Sequence, residues 1–299
     1  MLMLQMTGGM GNQMFVYALY KALENVGKEV CIEDFTHYED IGRKDNLLEK
    51  IFDFTYRKGE RAEYNRLTDS SLLPWKRVRR KLFGRGGRVY QEKDAIAFEE
   101  EIFDKEDAYC IGYWQSFRYF ESVEEQIRKD FSFERTILSP KAQAYREQIE
   151  STCSVSVHIR RGDYLNEKFA AIYGGICTEA YYRSAMDYFR EYFPECCFFL
   201  FTDDAEWGRL YAKENMTLVD CGGSDGAHVD MALMSLCRHN IIANSSFSWW
   251  GAWLNRNPEK KVVAPKQWLN TSEGQDIFYK LCNIRIDKDG GEYSESEDI

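Results

Sequence analysis

The chain has 299 residues, 44% hydrophobic and 29% charged, an ordinary composition for a soluble globular protein and length enough for two domains of about 150 residues. Net charge is −10, and the final stretch IDKDGGEYSESEDI alone carries six acids against one lysine, so the body is only mildly acidic and lacks the basic face that nucleic-acid binding needs. No apolar run approaches the roughly 20 residues that span a bilayer, MLMLQMTGG lacks a basic leader, and nine scattered cysteines without a CxxC pair are expected as free thiols of a cytoplasmic protein.

In chain order, residues 1–6 form a short apolar run, 7–11 a glycine turn, and NQMFVYALYKALENVG repeats apolar residues at helical spacing up to a natural stop at Gly27. KEVCIED follows as a strand, so the opening predicts a βαβ unit and a parallel sheet. Residues 40 to about 135 show many charges and aromatics without clean alternation; helices and irregular segments are expected there. Within them WKRVRRKLFGRGGR (75–88) is the only basic cluster. A solvated helix face or a dock for anionic lipid or an acidic partner explains it, so membrane association stays open.

From 140 the rhythm is regular. A helix (140–149), strand CSVSVHI, helix 178–193, strand CCFFLFT, helix AEWGRLYAKE, strand MTLVD, helix 228–239, strand NIIAN, helix 247–255 and strand KKVVAP follow one another. The fold class is α/β, with two Rossmann-like doubly wound halves: residues 1–150, residues 151–275, and an acidic tail over 276–299. Such a pair is expected to leave a ligand cleft at the carboxyl ends of its strands.

Three clusters fall at those strand ends. In VSVHIRRGDY, alternation sends Val155, Val157 and Ile159 to one face and Ser156, His158 and Arg160 to the other, and Gly162 and Asp163 end the strand. Arginine's rigid fork matches phosphate oxygens, so Arg160 and Arg161 suit a diphosphate; pairing with Asp163 or other acids is the structural alternative. FTDD (201–204) sets two aspartates after a strand, either as a metal pair or, favoured here, as a cap on the helix from Ala205. IIANSSFSWWGAW (241–253) brings Asn244, Ser245 and Ser246 to a helix N-terminus, an uncharged anion cradle or a plain cap. Its tryptophans suit either sugar stacking or the core. Asp230, early in the preceding helix, can accept from a guanine edge or complement the helix dipole.

The turn TGGMGNQMF (7–15) departs from the dinucleotide fingerprint: Gly9-x-Gly11-x-x meets Met14, although Asp34 sits where a ribose-binding acid would. A turn that lets Asn12 and Gln13 face a ligand explains the same residues without NAD. Zinc spacing and hydrolase nucleophile motifs are lacking.

Together, GGMGNQMF, VHIRRGDY, FTDD and NSSFSWWGAWL, in this order and spacing over residues 7 to about 265, resemble the bacterial α-1,2-fucosyltransferases of glycosyltransferase family 11. The resemblance implies a GT-B architecture, GDP-β-L-fucose held by the second domain and a galactose-terminated glycan acceptor held by the first, inversion at the anomeric carbon, and no metal or other cofactor. It assigns His158 and Asp230 to guanine, Arg160 to the diphosphate, Ser245 and Ser246 with neighbouring Asn244 to phosphate oxygens, and Gly11, Asn12 and Gln13 to the acceptor side. Asp163 is the candidate general base and Glu167 the reserve. A nicotinamide-dependent oxidoreductase built on the first βαβ unit and a non-catalytic sugar-nucleotide or glycan-binding protein are the competing classes.

Overall fold

LMLQ does form a strand, and the glycine turn does start a helix. In the computed structural model, which describes every residue except 38–47, 72, 84–85, 137, 163–166, 214, 222–225, 283, 292–293 and 296–299, the chain divides into two units, Met1–Ser132 and Phe133–Ile299. The first contains β1 (Leu2–Gln5), α1 (Met10–Asn25), β2 (Val30–Glu33), α2 (Leu48–Ile51), α3 (Arg61–Leu67), α4 (Pro74–Phe83), β3 (Val89–Gln91), α5 (Glu101–Asp104), β4 (Ala108–Ile111) and α6 (Glu124–Asp130).

α1 stops where Gly27 turns left-handed (φ 81°): the Gly27 and Lys28 amides donate back to Glu24 and Leu23 carbonyls, each at 3.0 Å, which satisfies the last turn. The strands form a parallel sheet in the order β2-β1-β4-β3. Met3, Cys31 and Tyr109 pack under Leu67 of α3; Leu2 and Leu4 alternate to the other face, also fully buried. β3 and β4 correct the expectation of only helices and irregular chain over 40–135. They are too short to show a period: VYQ is an edge strand and AYCI is mostly buried, so neither alternates.

The second unit contains α7 (Pro140–Glu150), β5 (Cys153–Ile159), α8 (Glu167–Tyr173), α9 (Glu179–Tyr192), β6 (Cys196–Thr202), α10 (Ala205–Tyr211), β7 (Met216–Leu218), α11 (Ala227–Leu236), β8 (His239–Ile241), α12 (Ser246–Leu254), β9 (Val262–Pro265), β10 (Ile284–Ile286) and β11 (Ser294–Glu295). Its sheet runs β11-β10-β9-β8-β5-β6-β7, parallel except for β11. Val155, Val157 and Ile159 face α9 through Tyr181, Ala185 and Phe189. On the opposite face Phe199 and Phe201 meet Ala142 and Ile149 of α7 and Leu233 and Met234 of α11.

Two boundaries differ from the sequence reading. α7 was expected to close the first half, yet its apolar stripe is buried in the second unit, so the division falls at 132 and not at 150. Residues past 275 are not all tail, because Ile284 and Ile286 are buried and extend the sheet beside β9; the run of acids begins only at Asp287. All nine cysteines are free.

Candidate active site

β5 lies between β6 and β8, although β6 follows it in the chain and β8 comes two strands later. The strand order therefore reverses at β5, the point where open α/β sheets receive ligands beyond their carboxyl ends. Arg160 and Arg161 follow β5 directly. Asn244, Ser245 and Ser246 follow β8, whose register with β5 runs Val155 with His239 through Val157 with Ile241. The sheet thus brings the two motifs side by side from 84 residues apart.

Neither arginine projects alone. Arg160 Nη1 lies 2.9 Å from Asp203 Oδ2, and Arg161 Nε 3.1 Å from Asp204 Oδ2, while the Arg161 guanidinium stacks 4.4 Å from the Trp207 ring. Asp203 also accepts from the Arg161 amide at 2.9 Å and the Gly162 amide at 3.1 Å. One carboxylate therefore fixes both the backbone of the turn and the first arginine. This contact requires glycine: a Cβ on residue 162 would sit 2.6 Å from Asp203 Oδ2. Asp204 is the cap of α10, accepting from the Trp207 amide at 2.9 Å, and that bond with Arg161 holds its carboxyl below the usual range. The pairing with acids that the sequence left open beside a diphosphate is thus present, and its acids are those of FTDD. Sequence missed Asp203 because its bonds reach back some 40 residues, whereas a helix cap is local.

On the β8 side, Ser245 is the N-cap residue of α12 but makes no side-chain cap bond, and Ser246 is the first helical residue. The N-terminal amides of α12 are thus not capped by Ser245, which leaves the anion-cradle reading of this turn standing. Asn244 is used structurally. Its amide donates to Tyr173 and Trp268 carbonyls at 3.1 Å each and its Oδ1 lies 3.4 Å from Cys177 Sγ. Trp249, Trp250 and Trp253 are core, nearly inaccessible, with Trp249 Nε1 donating to the Ile277 carbonyl at 2.6 Å. Below the site a buried chain ties three elements together: Asn240 Nδ2 donates to Ser156 Oγ at 2.7 Å, and Asn255 Nδ2 donates to Asn240 Oδ1 at 2.8 Å.

His158 points to the α7 and α11 face, 5.3 Å from the Phe247 ring. It is 4% exposed and its buried Nδ1 has no hydrogen-bond partner among the described residues. Burial, reinforced by the Arg160 charge, pushes its imidazole down to about 3, so it is neutral at physiological pH. Asp230 is half-buried in the first turn of α11. Glu167 is exposed at the start of α8. Asp163 lies outside the described residues.

In the first unit Asn12 is half-buried, and its Oδ1 accepts from Gln115 Nε2 at 2.9 Å. Gln13 was expected to face a ligand. It is instead fully buried and donates back to the Gly8 carbonyl at 3.2 Å, so it closes its own turn. Gly11 is buried beside it. Gly8 has φ 70°, and a Cβ there would meet Asn12 Nδ2 at 2.4 Å.

The second unit carries a cavity of about 550 Å³ lined by Arg160, Arg161, Tyr182, Trp207 and Asn244 among others, within the range of small-molecule sites. Of the candidate residues, Arg160 and Asn244 reach this cavity; His158, Asp230, Ser245 and Ser246 do not line it. Tyr182 and Trp207 carried no motif that would have singled them out. The arrangement offers two guanidinium groups and a helix N-terminus at one switch point, a chemistry suited to a polyanionic ligand.

The profile described as Glycosyl transferase family 11 matches residues 1–280. The chain is 32% identical over 284 residues to an alpha-1,2-colitosyltransferase of Escherichia coli, spanning 90% of this chain and 92% of that protein. It is 30% identical over 288 residues to the O-antigen biosynthesis glycosyltransferase WbnK of Escherichia coli, spanning 88% and 93%. The human galactoside alpha-(1,2)-fucosyltransferase 1 is 30% identical over 171 residues, 52% of this chain and 46% of that protein.

Proposed function

Because this chain belongs to glycosyl transferase family 11, we propose that it is an inverting α-1,2-fucosyltransferase that carries L-fucose from GDP-β-L-fucose to the 2-hydroxyl of a terminal galactose. The observation that carries the reading is the convergence of Arg160 with the N-terminus of α12 at the β5–β8 switch point. Cleavage of the C1–O bond of the donor builds negative charge on the β-phosphate as the sugar becomes oxocarbenium-like. Arg160 and the Ser245–Ser246 turn meet that charge where it develops, which is the electrostatic work most useful to the barrier. His158, neutral and with a buried Nδ1 that has no partner among the described residues, and Asp230 serve the guanine.

Metal independence is part of the proposal. The FTDD carboxylates that a divalent ion would use already bind two guanidinium groups and two turn amides. Inversion needs a single attack by the acceptor hydroxyl with a base on the far side of the sugar; Asp163 is assigned that role, with Glu167 in reserve. Asn12 belongs to the acceptor side.

A second donor deserves a place in the test because a near full-length relative is a colitosyltransferase, and colitose is L-fucose without its 3-hydroxyl. Purified protein is incubated with GDP-fucose or GDP-colitose and a panel of β-galactosides in the presence of EDTA, with linkage read by NMR. Fucose appearing at the galactose 2-position is expected. Transfer of colitose alone reassigns the donor, and no transfer to any acceptor from either donor overturns the reading.

A further inference from the structure

Residues 70–91 hold seven lysines and arginines and no acid, in a chain whose net charge is −10. Their centre is α4, and four of the nine exposed large apolar side chains among the described residues fall between 73 and 82. Leu73 is 51% exposed, Trp75 62%, Val78 58% and Leu82 69%. Positions 75, 78 and 82 are three and four apart, so the last three form one stripe along the helix. An amphipathic helix ordinarily turns such a stripe to the core; here it faces water.

The orientation is held from below. Asp69 is buried, forms an ion pair with Arg79 and accepts from the Gly86 amide at 3.1 Å, so both α4 and Gly86 are fastened to the first unit. Arg77 and Lys81 remain exposed beside the stripe. An apolar stripe with an indole at one end and cations along its flank suits an interface whose inner side is hydrocarbon and whose outer side is negative. A phosphodiester backbone would satisfy the cations and leave Val78 and Leu82 without purpose.

We propose that α4 is an interfacial helix that docks the first unit on an anionic lipid surface, with Trp75, Val78 and Leu82 entering the boundary between headgroups and acyl chains and the surrounding cations meeting the lipid charge. The inference does not depend on the transfer reaction.

The test is co-sedimentation of the full chain with phosphatidylglycerol–phosphatidylcholine vesicles. Binding is expected, and it falls about tenfold or more on pure phosphatidylcholine or in roughly 1 M salt. Trp75→Ser/Val78→Ser/Leu82→Ser and, separately, Arg77→Glu/Lys81→Glu each weaken binding by a comparable factor. Trp75→Phe, a change too mild to threaten folding, retains binding but loses part of the tryptophan quenching by brominated lipid. Failure to bind anionic vesicles, or binding untouched by either multiple variant, overturns the proposal. So does retention on polyglutamate or RNA with vesicles ignored, which reassigns the helix to an acidic macromolecule.

Discussion

Asp203 does more at this site than the arginines that first attract notice. Its carboxylate collects Arg160 and the amides of Arg161 and Gly162, so it sets where the guanidinium stands. Arg160→Ala is expected to lower kcat by about 10²–10³-fold with little change in melting temperature, because the group is half-exposed and its work is on developing charge; near wild-type turnover would remove Arg160 from the mechanism. Asp203→Asn keeps the shape and loses the charge. It is expected to cost about tenfold in kcat/KM through a loosened turn, and Gly162→Ala, which forces Asp203 aside, should reproduce the effect; unchanged kinetics in both would show that the clamp is idle. The paired arginines were legible in the sequence because a strand pattern ran into a turn. Asp203 was not, because nothing local distinguishes an aspartate that caps the next helix from one that reaches back to the preceding strand.

Elements with a clear period were legible almost to the residue. α1 and α9 show a helical stripe in the letters, β5 shows its alternation, β6 is an unbroken apolar run of strand length, and α10 shows its cap. β3, β4 and β10 were not, since three or four residues are too few to establish a period: β3 lies largely exposed at the sheet edge and β4 is mostly buried. What fixes the elements of the site relative to one another was also invisible: the Ser156–Asn240–Asn255 chain joins β5, β8 and the end of α12, with Asn240 wholly buried. Asn240→Ala is expected to cost about 3 kcal/mol, since it orphans donors and acceptors in a dry region. Urea unfolding of the variant measures it, and a loss under about 1 kcal/mol would mean that packing alone holds these elements.

The two units should answer pH in opposite senses. In the second, burial with neighbouring cations lowers His158 to about 3 and His239 to about 4, and His239 Nδ1 accepts from the Lys261 amide at 3.0 Å. Both imidazoles take up protons more readily when unfolded, so their contribution is present above pH 6.5 and is lost as pH falls below it, by about 2 kcal/mol for each at pH 5. In the first unit, burial raises Glu92 from 4.5 to about 8 against the pull of the Tyr113 and Trp114 amides that donate to it. Unfolding ionises it, so that unit loses stability as pH rises from 4.5 towards 8. Hydrogen exchange followed by region from pH 5 to 8.5 should show protection of Val155–Ile159 growing and protection of Ala108–Ile111 shrinking. Parallel trends would refute this assignment. At this scale the paired α/β plan was readable from the letters, and the position of its division was not, because α7 declares its allegiance only through the residues it touches.

The reversal of strand order at β5 also has a consequence in time. A ribosome makes Val155 before its partner His239 by 84 residues, an interval of roughly 4–17 s at ordinary rates of synthesis. For that period one edge of VSVHI is unsealed while the other closes on β6. The segment that will carry the arginines is therefore a nascent-chain hazard before it is a binding site, and the polar His158 and Ser156 set within it interrupt the apolar run when the chain is most able to pair with a stranger.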